Sequence, residues 1–109
     1  MPKKLMVYIA GPYSHPDPVE NTHRAIKVAE DLIARGFLPI IPHQSMLWQL
    51  VSPHPIRFWY DYDLDILERC DILYRIPGES KGADAEVKYA KDKGIPVCET
   101  IEQLLNFQV

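Results

Sequence analysis

The chain has 109 residues, of which 47% are apolar and 25% charged, with a net charge of −3. Its length predicts one small domain over residues 1–109, burying roughly 65% of its unfolded surface. The acidic balance and the lack of any basic run argue against a nucleic-acid polymer as partner, because backbone phosphates call for clustered Lys and Arg.

Leu5-Met6-Val7-Tyr8-Ile9-Ala10 is a continuous apolar run closed by Gly11-Pro12, and reads as a strand buried on both faces. The run is too short for a signal peptide or a membrane span, so a cytoplasmic location is expected. After the loop 11–16, Asp17-Pro18-Val19-Glu20 has the pattern of a capped helix start, with Pro18 at the first helical position. Ala25, Ile26, Ala29, Leu32 and Ile33 carry that helix on, and Gly36 ends it. Residues 37–41 predict a second strand, placed at an edge by Pro39. Residues 42–55 read as a loop holding a short helix or a lid. A helix over 56–70, a strand over 71–76, a helix over 82–93 and a strand over 96–98 follow. Thr100-Ile101-Glu102-Gln103 then opens a last short helix.

This alternation predicts an α/β fold. It is a three-layer, Rossmann-like (flavodoxin-like) domain with a four- to five-stranded parallel sheet flanked by helices. Ligands of such sheets bind beyond the carboxyl ends of the strands, where the loops 11–16, 42–55 and 77–81 gather.

Two acids stand out against this frame. On the helix 56–70, Trp59, Asp63, Ile66, Leu67 and Cys70 share one face, and Asp63 is the only charge on it. Asp61, Asp65, Glu68 and Arg69 fall on the outer face. On the next helix Glu86 lies among Ala83, Val87 and Ala90, close enough to the N-terminus for the helix dipole to favour its ionised form. Each acid also has a purely structural reading, Asp63 as an acceptor for loop amides and Glu86 as a stabiliser of the helix terminus. Two inward carboxylates at the mouth of one sheet suit acid–base or glycosyl chemistry. Tyr8, near the end of the first strand, either orients a carboxylate or fills the core.

Ser80 and Gly82 lie at a helix N-terminus, where free amides bind phosphate or a sugar hydroxyl. The P-loop spacing is absent, which argues against triphosphate hydrolysis. Gly11 allows close approach of a ligand, and Ser14 and His43 lie in loops at the same end. His15 and His54 are loop residues too, while His23 reads as helix surface. No metal-ligand spacing occurs, so neither a metal nor another cofactor is expected, and Cys70 and Cys98 read as buried thiols.

Val7-Tyr8-Ile9-Ala10-Gly11-Pro12, the pair Asp63 and Asp71, the run Ser80…Gly82…Glu86, and Ala90 with Gly94-Ile95-Pro96-Val97 together resemble the nucleoside 2-deoxyribosyltransferase superfamily. That superfamily includes nucleoside 5′-monophosphate N-glycosidases, and the opening is also similar to a small bacterial and phage branch. The resemblance covers nearly the whole chain. It implies a double displacement at C1′ of a small-molecule nucleoside or nucleotide, with Glu86 as nucleophile, Asp63 assisting departure of the base and Tyr8 orienting Glu86. Water as acceptor gives hydrolysis, and a second base gives transfer. The transferases carry an acid where this chain has Ser80, whereas the hydrolases carry a serine that contacts the 5′-phosphate. The expectation is therefore an N-glycosidase acting on a nucleoside 5′-monophosphate, with base exchange and a non-catalytic nucleotide-binding module as alternatives. The first loop lacks the arginine that the hydrolases use for phosphate, and Ser14, His15, Arg24 or Lys81 are its possible substitutes. Family members build sites from more than one subunit. Trp48, Phe58, Trp59 and Tyr60 are expected to be exposed, and a homodimer or higher homo-oligomer follows as the expectation.

Overall fold

The computed structural model describes residues 3–108. Four parallel strands, β1 (Met6–Ala10), β2 (Leu38–Ile40), β3 (Ile72–Arg75) and β4 (Val97–Cys98), form one sheet in the order β2-β1-β3-β4. The helices are α1 (Pro18–Ala34), α2 (Ser45–Val51), α3 (Ile56–Glu68), α4 (Lys81–Asp92) and α5 (Ile101–Leu105). This is the three-layer α/β architecture that the alternation predicts, with four strands and with the Pro39 strand at the edge. The open segment 42–55 resolves into a single 3-10 turn over Pro42–Gln44, then α2, then four non-helical residues ahead of α3.

The continuous apolar run of β1 is explained by burial on both faces. Val7, Tyr8, Ile9 and Ala10 have no exposed surface. Val7 and Ile9 face the layer of α1 and α5, against Ala25, Ala29, Leu32 and Leu104. Tyr8 and Ala10 face the layer of α3 and α4, against Leu67, Ala83 and Ala90. Full burial of each aliphatic side chain contributes about 1.5–3 kcal/mol. The alternation also turns the Tyr8 phenol toward the two helices that carry Asp63 and Glu86.

Local capping sets where α1, α4 and α5 begin. Asp17 accepts from the Val19 amide at 2.9 Å, Ser80 from the Ala83 amide at 3.1 Å, and Thr100 from the Gln103 amide at 3.1 Å. The Ser80 cap starts α4 at Lys81, one residue before the sequence-based boundary.

The β1 and β3 strands pair Tyr8 with Leu73 and Ala10 with Arg75. The chain leaves β1 toward β2 on one side, while β3 lies on the other, so the sheet's switch point falls between β1 and β3. The loops that leave these two strands pack tightly. A Cβ on Gly78, whose φ is +131°, would lie 2.8 Å from Pro12 Cγ, closer than any real side chain tolerates.

Candidate active site

A cleft of about 1080 Å³ opens at this switch point. Gly11, Ser14, His43, Asp63, Ser80, Gly82 and Glu86 all line it. Tyr8 does not line it. The tyrosine is fully buried behind Glu86 and donates its hydroxyl hydrogen to Glu86 Oε2. Its pKa lies well above the ordinary value, first because burial disfavours the phenolate and then because of the Glu86 charge. The phenol therefore keeps its proton and points one lone pair of the carboxylate, leaving the rest of the group to face the cleft.

Burial pushes Asp63 up to about 7. Burial also pushes Glu86 up to about 7, partly opposed by the Tyr8 hydrogen bond and by the Arg75 charge, and reinforced by Asp63. The dipole argument anticipated the opposite direction for Glu86. Loss of water around a carboxylate in the second turn of α4 outweighs a field that fades beyond the first turn. The two acids are coupled, and near neutral pH the pair holds about one proton between them. A carboxylate beside a carboxylic acid is an arrangement that can supply a nucleophile or charge stabiliser together with a proton donor.

Other groups around the acids are invisible to periodicity. Arg75, at the carboxyl end of β3, has a side chain only 11% exposed. Its guanidinium donates to the carbonyls of Ile76 and Gly78 and pairs with Asp84 at 2.9 Å. It thereby ties the loop after β3 to the first turn of α4. Asn21, 5% exposed in α1, donates from Nδ2 to the carbonyls of Tyr13 and His15, each at 3.0 Å. His43 is buried, with Nε2 2.9 Å from the Pro12 carbonyl. A carbonyl only accepts, so Nε2 carries the proton, and burial lowers the ring's pKa and keeps it neutral. Asn21 gave no sequence signal, because an asparagine early in a helix is ordinary and its burial shows only in the structure. Arg75 gave none, because strand ends carry arginine for many reasons.

The cleft has two chemically different ends. At one, Ser80 and Lys81 begin α4 and Arg24 donates to the nearby Pro77 carbonyl at 3.1 Å, with Ser14 and His15 also lining the cleft. The Ser80 oxygen is occupied by the Ala83 amide, so its own hydrogen is free to donate outward. At the other end stand Gln49, His54, Trp59 and Tyr60. Trp59 is 9% exposed, in contrast to the exposure expected from sequence, because α2 folds back on it and sets Trp48 edge-on at 5.2 Å. Trp48, Phe58 and Tyr60 remain exposed. Among the described residues no three His, Cys, Asp or Glu side chains gather as metal ligands, and no helix is long and apolar enough to cross a membrane.

Comparison with known proteins adds a frame. A search of curated proteins finds no match. Among solved structures, a 2-deoxyribosyltransferase from Bacillus psychrosaccharolyticus superposes with a TM-score of 0.65 at 20% identity, over 84% of this chain and 69% of that one. A 2-deoxyribosyltransferase from Leishmania mexicana gives 0.63 at 24% identity, over 87% of this chain and 62% of that one. The chain thus spans roughly two thirds of the length of these transferases and has their fold, as the sequence motifs anticipated. The family model described as a domain of unknown function, DUF7768, matches residues 5–100, and the chain belongs to that family.

Proposed function

We propose that this chain is an enzyme that breaks the N-glycosidic bond of a nucleoside or nucleoside 5′-monophosphate through a glycosyl ester on Glu86. The observation that carries the reading is the Tyr8–Glu86 hydrogen bond in a cleft that also holds Asp63. A Glu86 oxygen forms a bond to C1′ as the bond from C1′ to the base nitrogen breaks, and the Asp63 proton goes to the departing base. An acceptor then attacks C1′, gives its proton to Asp63 and frees Glu86.

Base exchange is the first reading for the acceptor, because both transferases that share the fold are named for that reaction. This reverses the preference drawn from Ser80 alone. Hydrolysis is the second reading, favoured by the neutral donor Ser80 with Arg24 and Lys81 at the same end of the cleft, a set suited to a 5′-phosphate.

Chromatography of a panel of ribo- and deoxyribonucleosides and their 5′-monophosphates, with and without a second base, tests both readings. The expected result is a new nucleoside when acceptor is present. Release of free base at the same rate without acceptor makes the enzyme a hydrolase. No release and no exchange from any member removes the glycosyl reading.

The assembly that completes this reading is a homo-oligomer in the cytoplasm. None of the seven residues of α2 is buried, and Leu47, Leu50, Val51 and Ile56 are 67–84% exposed. Sedimentation equilibrium is expected to give a dimer or larger; a monomer at high micromolar concentration refutes the assembly.

A further inference from the structure

Gln49 stands in α2 at the aromatic end of the cleft, half-buried. Its Oε1 accepts two hydrogen bonds, one from the His54 backbone N–H at 2.9 Å and one from the Trp59 indole N–H. A backbone amide and an indole N–H can only donate. A carboxamide whose oxygen is held by two such groups has one orientation, and its amino group is turned away from both. Among the described residues that Nε2 meets no acceptor, and it is not one of the buried side-chain atoms left without a partner. The cleft therefore has, at this end, a fixed group that offers hydrogens and nothing else.

Its position relative to Asp63 matters. Trp59 precedes Asp63 by one turn of α3, about 6 Å along the axis, and Gln49 is bonded to the indole nitrogen of Trp59. A nucleobase that receives a proton from Asp63 and lies against the Trp59 side of the cleft would extend toward Gln49 with the edge farthest from its sugar.

We propose that the Gln49 amino group reads that edge and selects bases bearing an exocyclic oxygen there, at C6 of a purine or C4 of a pyrimidine, over bases bearing an amino group. The inference rests on the glycosyl reading of the same cleft. An amino base would set donor against donor beside the buried Trp59, and the hydrogen bond that an oxo base makes there would be lost. Sites built around a hydrogen bond discriminate strongly against partners that cannot make it.

The test compares kcat/KM for inosine against adenosine and for uridine against cytidine, each as ribo- and deoxyribonucleoside and as 5′-monophosphate. Wild type is expected to favour the oxo member by about tenfold or more. In Gln49→Glu a carboxylate still accepts from His54 and Trp59, so the local lock is kept, but the outward atom now accepts. The oxo-to-amino ratio is expected to fall below one in that variant. Gln49→Met, which keeps the length and removes both functions, is expected to bring the ratio near one.

A merely structural Gln49 would change all substrates alike and leave the ratio fixed. An unchanged ratio in Gln49→Glu, or a wild type that prefers amino bases, overturns the inference while the glycosyl reading stands. Absence of turnover with every substrate overturns the glycosyl reading instead. In that case quenching of tryptophan fluorescence by hypoxanthine and by adenine decides the point alone. Binding of hypoxanthine about tenfold tighter supports selection by Gln49, and equal binding refutes it.

Discussion

Glu86→Gln is expected to lower turnover by at least about 10⁴-fold, as loss of a covalent nucleophile does in other double-displacement enzymes. Glutamine keeps an oxygen that can accept from Tyr8, so the buried phenol is not orphaned and the fold is expected to persist. The same substitution has a second consequence with a definite sign. The folded protein holds the Glu86 proton up to about 7, against an ordinary value of 4.5. A carboxyl raised in this way adds its full stability below the ordinary value, and that contribution is lost as the pH rises through 7. Wild type is therefore expected to be less stable at pH 8 than at pH 5.5. Glu86→Gln, which has no charge to bury, is expected to gain about 3 kcal/mol over wild type at pH 8 and under about 1 kcal/mol at pH 5. Denaturant melts at the two pH values measure this beside the activity assay. Retained turnover would remove the nucleophile assignment, and equal pH dependence in both proteins would show that Glu86 is not desolvated.

Asp63→Asn is expected to lower kcat by about 10²- to 10³-fold on ordinary nucleosides, the usual worth of a positioned general acid. The loss should be far smaller for a nucleoside whose base leaves readily without a proton, because Asp63 acts only on departure. Wild type should show a bell-shaped profile of kcat/KM centred near pH 7. The active form has one proton shared by Asp63 and Glu86, and it disappears on either side. In Asp63→Asn the alkaline limb should vanish. The acid limb should stay near its wild-type position, because Asp63 is already protonated and uncharged where Glu86 takes up its proton. A bell that survives unchanged in this variant assigns the leaving-group proton elsewhere.

The fold was legible because β1 is an unbroken apolar run, because α1, α3 and α4 each carry a clean period, and because Pro39, Gly36 and the caps at Asp17, Ser80 and Thr100 punctuate them. The gathering of Asp63, Ser80, Gly82 and Glu86 in one cleft followed from the same pattern, since a parallel sheet sends those helix and loop positions to one end. What the sequence hid was anything set by long-range contact. The direction of the Glu86 shift depends on how much water the neighbouring loops exclude, which no helix position encodes. Trp59 read as exposed because α2, whose path lies in a segment without periodicity, had to be placed before the covering by Trp48 could be seen. Arg75 and Asn21 act on backbone carbonyls of loops, and backbone partners leave no mark in side-chain spacing.

Asn21 holds the carbonyls of Tyr13 and His15 at once, and His43 holds that of Pro12, so one wall of the cleft is fastened to α1 and to the turn after β2. A ligand entering there does not have to freeze a wandering loop. The thermodynamic consequence is that association should proceed with a small ordering entropy and a fast on-rate, and that affinity should differ among substrates mainly through how quickly they leave.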